Sequence, residues 1–109
     1  MIARIWHGWT TPENADAYEA LLRETIFPDI EAMEIPGYRG IDLLRRVPSE
    51  GSKEMEFITV MTFDSLDSVR SFVGEDYARA HVPAEARKVL SRFDERSQHY
   101  EIRERRRYD

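Results

Sequence analysis

Three histidines and a few aromatic side chains are the residues of this chain that could do chemistry, because it has no cysteine and no nucleophile motif around any serine. An imidazole takes or gives a proton near neutral pH, so His7, His81 and His99 are the candidates for acid–base work. No glycine-rich phosphate loop is present, and no pair of histidines has metal-ligand spacing. His7 shares one face of an alternating stretch with Ala3, Ile5 and Trp9, and His81 follows Tyr77 by four residues, the spacing of one helix face. His7 and His81 flanking a pocket walled by Trp9, Tyr18, Phe72 and Tyr77 would be proton acceptors toward a small, flat aromatic ligand. His81 could instead bind iron through a ring nitrogen. The bland alternative is a satisfied core histidine at position 7, a histidine at a helix break at 81, and Tyr18 and Phe72 as plain core. His99, beside Tyr100, reads as an edge position.

These side chains must be positioned by regular elements, and the periodicity supplies them. Residues 2–10 alternate in hydropathy, 18–33 repeat every three to four residues, 40–47 and 55–63 alternate again, and a second helical stretch precedes a last strand over 97–103. The order is βαββαβ, which predicts an α+β, ferredoxin-like domain with a four-stranded antiparallel sheet. Thr11 can cap the first helix with Pro12 at its first position, and Pro28 predicts a kink because it lacks the backbone donor. Asp64-Ser65 caps a second helix that Gly74 is placed to end, Asp76 can cap a further turn carrying Tyr77 and His81, and Pro83 can open a last helix burying Ala86, Leu90 and Phe93.

In the third strand Met55, Phe57, Thr59, Met61 and Phe63 share one face while Ile58, Val60 and Thr62 share the other, so neither face is written for water. Helices of one domain cover one face of a four-stranded sheet, and a second copy is the simplest cover for the other. The pattern therefore predicts a homodimer in which two sheets meet as a closed α/β barrel, each copy keeping a cavity between its own sheet and helices. Trp6 and Trp9 have opposite parity, and the reading places Trp9 in the cavity and Trp6 in the barrel. Arg4, on the Trp6 face, would then need a carboxylate across the dimer.

At 109 residues the chain makes one domain over 1–104, followed by a charged tail over 105–109, and can bury roughly 60 to 70% of its unfolded surface. A net charge of -5 with 34% charged residues argues against general nucleic-acid binding, which needs a basic face. The exception is the local Arg-Glu-Arg-Arg-Arg run at 103–107, readable as a phosphate contact or as a solvated tail. The absence of cysteine, of a leader-like N-terminus and of any long apolar run predicts a cytoplasmic protein with no membrane partner.

The stretch Met1-Ile2-Ala3-Arg4-Ile5-Trp6-His7-Gly8-Trp9-Thr10, the turn Pro36-Gly37-Tyr38-Arg39-Gly40 into Leu43-Leu44-Arg45-Arg46, and the closing His99-Tyr100-Glu101-Ile102 resemble the antibiotic biosynthesis monooxygenase-like family. The resemblance implies a dimeric α/β barrel of ferredoxin-like fold. One branch of that family oxidises polycyclic phenols to quinones with dioxygen and no cofactor, after deprotonating the substrate in the pocket. A haem-degrading branch carries a helix signature similar to Asp76-Tyr77-Ala78-Arg79-Ala80-His81, which would make His81 an axial iron ligand. This chain has His7 where that branch has an asparagine, and Phe72 near its tryptophan. The expectation is thus a cofactor-independent monooxygenase-like protein acting on a small aromatic or quinol-type molecule. Haem binding or degradation through His81 is one alternative, and a non-catalytic dimeric binding module another.

Overall fold

A computed structural model describes residues 1–109 as an antiparallel sheet with helices packed on one face. Strand β1 is Ile2–Thr10, β2 Tyr38–Arg45 and β3 Met55–Phe63, and these three match the alternating stretches of the sequence, β2 being displaced two residues toward the N-terminus. The sheet order is β2-β3-β1, and the position beyond β1 is filled by two short strands, β4 at Arg92–Phe93 and β5 at Gln98–Glu101. This is the ferredoxin-like order, with five strands where four were expected. The last strand is broken because the chain between β4 and β5 turns to another partner. Ala80 N–H donates to the Glu95 carbonyl, Ser97 N–H donates to the Ala78 carbonyl, and Arg79 bridges Arg96.

Register sorts the two faces. Ile41, Met61, Arg4 and His99 form one row, and Leu43, Thr59 and Trp6 the next, all toward the helices. On the opposite face Leu44, Ile58 and His7 share a row, followed by Val60, Ile5 and Gln98. The helical layer buries Tyr18, Leu22, Ile26 and Ile30 against Phe57, Met61 and Phe63.

The first helix runs as α1 (Ala15–Leu21), a π-helical turn over Leu22–Ile26, and α2 (Phe27–Ala32). Pro28 cannot donate to the carbonyl four residues back, and the neighbouring Phe27 N–H reaches five residues back to the Leu22 carbonyl. A widened turn thus takes the place of the expected kink, and it sets Leu22 and Ile26 against the sheet. Thr11 does accept a bond from Asn14 N–H, 3.2 Å, but regular helix starts only at Ala15.

Helix α3 is Leu66–Val73, with the Ser65 hydroxyl accepting from Ser68 N–H (3.3 Å) and Gly74 at φ 94° ending it, as the residue types require. The turn expected after Asp76 closes once, with Arg79 N–H donating to the Asp76 carbonyl (3.0 Å), and does not continue as helix to His81. The rest of residues 74–83 is an irregular connection, because Ala78 and Ala80 pair with the 95–97 segment. Pro83 precedes α4 (Ala84–Val89), which buries Ala86, whereas Phe93 belongs to β4 and not to that helix.

Candidate functional site

Between the sheet and the helices lies a cavity of about 50 Å³. Its walls come from β1 (Arg4, Trp6), the first helix (Tyr18, Leu22, Ile26), α3 (Phe72) and the connection before α4 (His81, Val82). Eleven of the sixteen lining residues are hydrophobic, so the few polar groups decide what can enter. Tyr18 is buried with its ring edge-on to Phe57, centroids 5.0 Å apart, and burial drives its phenol pKa above the ordinary value.

Arg4 is the unusual member. It is 3% exposed, and none of the molecule's ion pairs includes it. Its guanidinium donates to the carbonyls of Tyr77 and of Arg79 (2.7 Å) and to His99 Nε2 (3.0 Å), and it stands over the Phe72 ring at 5.6 Å. Burial lowers its pKa to about 10, still far above neutrality, so the cavity wall carries a full positive charge. An arginine has no lone pair to offer, so His99 must accept at Nε2 and, when neutral, carries its proton on Nδ1. Burial, and then the Arg4 charge, push His99 down to about 4. The same two causes hold His81 below the ordinary imidazole value, and its ring stands 5.1 Å from Phe72. Both histidines are therefore neutral at pH 7.

Of the sequence candidates, the structure brings Tyr18, Phe72 and His81 to one cavity. His7 and Trp9 are not there. They lie on the opposite face of β1, where His7 Nδ1 is 2.8 Å from Asp94 Oδ2 and its ring stacks on Trp9. Arg92 covers Trp9 at 3.8 Å, and Trp6 takes the place expected for Trp9. The physical reason is Gly8: a Cβ there would come within 2.4 Å of the Trp6 indole, so only glycine lets the indole fold back along the helix-covered face. Trp6 Nε1 then donates to the Asp94 carbonyl at 2.8 Å. Tyr77 is also outside the cavity, contributing its carbonyl to Arg4 while its ring meets His99 edge-on at 5.1 Å. Arg4 faces the helices, so the carboxylate expected for it across a dimer is replaced by two carbonyls and an imidazole.

Ser97 is the polar residue that the sequence reading misses, while that reading gives Arg4 a partner across a dimer and His99 an edge position with no part in the site. The register Arg4 opposite His99 was open to inspection, but the carbonyls that hold Arg4 belong to an irregular connection that periodicity does not describe.

No family model matches the chain, and no curated protein sequence matches it. Among solved structures, a protein of the EthD family from Bacillus halodurans C-125 is similar, with a TM-score of 0.56 and 19% identity over 93% of this chain and 98% of that one. At that identity the likeness is one of fold. No helix is long and apolar enough to cross a membrane.

A haem group does not fit the cavity. About 50 Å³ is far smaller than a porphyrin macrocycle, Phe72 packs on the His81 ring, and Tyr77 and His81 share no helix that would present an axial ligand.

Proposed function

We propose that this protein is a dimeric, monooxygenase-like α/β-barrel protein that binds a small aromatic or quinol-type molecule between sheet and helices and oxidises it with dioxygen, without a cofactor. The observation that carries the reading is a neutral His81, solvent-exposed at the rim of an otherwise apolar and aromatic cavity that its ring helps to line. An imidazole kept neutral is ready to accept a phenolic proton, and the phenolate left behind is electron-rich enough to pass an electron to dioxygen. In the complete reaction a ring C–H bond is replaced by a C–O bond: one oxygen atom of dioxygen ends on the quinone ring, and the other leaves as water with two of the substrate's hydrogens, so that hydroquinone would give hydroxybenzoquinone. His81 takes the role of proton acceptor alone, since His7 has no route to a ligand on the other side of the sheet. The resemblance to monooxygenase-like proteins and the shared ferredoxin-like fold support the class, and a cavity of about 50 Å³ argues against a fused polycycle seated within it.

The homodimer belongs to the same reading. Ile5, Ile58 and Val60 are half-exposed and Leu44 is 48% exposed on a sheet face that no helix covers, and a second sheet would remove that apolar area from water.

The test is dioxygen uptake by the purified protein with hydroquinone and with catechol, above the buffer rate. Removal of a general base costs typically 10²–10⁴-fold, so His81→Ala should abolish the protein-dependent uptake while keeping its fold. Full activity in that variant refutes the assignment, and saturable binding without uptake identifies a binding module instead.

A further inference from the structure

We infer that the cavity holds a dedicated oxyanion site, formed by Arg4 and Ser97, so that its ligand is a small organic anion bound head-first: an aromatic carboxylate, whose phenolic hydroxyl remains for His81. The inference rests on the reading of the cavity as a ligand site and specifies which charge state enters.

Two independent observations lead there. Arg4 is a buried cation with no carboxylate partner, which folding tolerates only where its donors are met and its charge is balanced or put to use. Its guanidinium has five N–H groups, and the bonds to Tyr77, Arg79 and His99 take up three of them. Two are left on a side chain that lines the cavity. The second observation is Ser97, 6% exposed, whose Oγ is the one buried side-chain polar atom in the molecule without a hydrogen-bond partner, and Ser97 lines the same cavity. An unsatisfied buried hydroxyl and an under-used guanidinium on the walls of one cavity are a donor set waiting for an acceptor that is absent from the protein itself. Neither neighbouring histidine supplies negative charge, and His99 Nε2 already accepts from Arg4.

The charge of the acceptor follows from the surroundings. In a low-dielectric cavity a guanidinium prefers an anion, and a planar carboxylate matches its fork, with a third bond available from the Ser97 hydroxyl. The dimensions agree. About 50 Å³ is room for a few water-sized groups, which suits a charged head, whereas the ring must extend toward the mouth. A larger surface depression of about 410 Å³ shares Phe72, His81, Val82 and Pro83 with the cavity, so those four residues are the partition the ligand body crosses.

The experiment titrates the full chain with two probes of one shape, benzoate and benzamide, following tryptophan emission because Trp6 lines the cavity, and repeats it with Ser97→Ala and Arg4→Lys. Benzoate should bind at least tenfold more tightly than benzamide. Ser97→Ala, a small change that leaves packing intact, should weaken benzoate several-fold and leave benzamide unchanged, and Arg4→Lys should cost benzoate tenfold or more through loss of the fork. Equal affinity for the two probes, or an unchanged benzoate affinity in Ser97→Ala, overturns the oxyanion site while leaving the cavity as a ligand site. Binding of neither probe overturns both, and Arg4 is then a structural cation held by the Tyr77 and Arg79 carbonyls and by His99. Should Arg4→Lys fail to fold, the Ser97→Ala comparison decides.

Discussion

Replacing Gly8 by alanine should collapse the wall of the cavity, and the size of the effect can be worked from the geometry. A Cβ at position 8 would lie 2.4 Å from Cη2 and 2.9 Å from Cζ3 of Trp6, and 3.2 Å from Cδ2 of Leu90. The indole cannot yield a few tenths of an ångström in place, because its Nε1 is tied to the Asp94 carbonyl at 2.8 Å and its ring packs 6.4 Å from Phe93. Overpacking of this kind costs about 1–3 kcal/mol, and displacing the indole forfeits a hydrogen bond worth about 1 kcal/mol. Alanine recovers about 0.5–1 kcal/mol of backbone entropy in a strand. The net loss is about 2 kcal/mol, a fall in Tm on the order of 10 °C for a domain of this size. Urea unfolding followed by tryptophan emission measures it, with Gly40→Ala as control, since a Cβ on that β2 glycine meets nothing within 4 Å. A Gly8→Ala protein as stable as Gly40→Ala would refute the claim that this glycine is what sends Trp6 to the cavity.

Two further outcomes are expected, besides those of the oxygen-uptake and probe-binding experiments. His99 is held at about 4 in the folded protein against an ordinary 6.5, so above pH 6.5 both states are neutral and stability is at its full value. As pH falls from 6.5 toward 4 the unfolded chain takes up a proton the folded one refuses, and stability declines. Urea midpoints across that window should fall less steeply in His99→Gln, whose amide oxygen can still accept from Arg4, and identical slopes would contradict the assignment. The uncovered sheet face should make the protein a dimer of twice 12.9 kDa by light scattering, and Ile58→Lys or Val60→Asp should yield monomers with an intact fold. A monomeric wild-type protein at micromolar concentration would remove the barrel from the proposed function.

Much of the architecture was legible in the chain because strands announce themselves by local alternation. The bounds of β1 and β3 follow from it, as does α3 between its Ser65 cap and Gly74. Other elements were misread where a long-range partner outweighed a local preference. Residues 76–81 have helical spacing, yet after the one turn from Asp76 to Arg79 the backbone of Ala78 and Ala80 goes to residues 95–97, and the last strand is split for the same reason.

By itself, the sequence determined that β1 and β3 each have two apolar faces and that Arg4 and Trp6 lie together on one of them while His7 and Trp9 lie on the other. Which face the helices cover was left to the tertiary structure. Alternation has a period of two and no sign, so it separates the faces without ordering them, and with both faces apolar hydrophobicity gives no preference. What broke the tie is long-range. The indole of Trp6 folds over Gly8 to reach Asp94, and the Arg4 guanidinium finds carbonyls at Tyr77 and Arg79. Those partners lie more than seventy residues away in the chain and become neighbours only when it closes, and with them Arg4, Trp6 and Ser97 take the places of His7 and Trp9 beside His81.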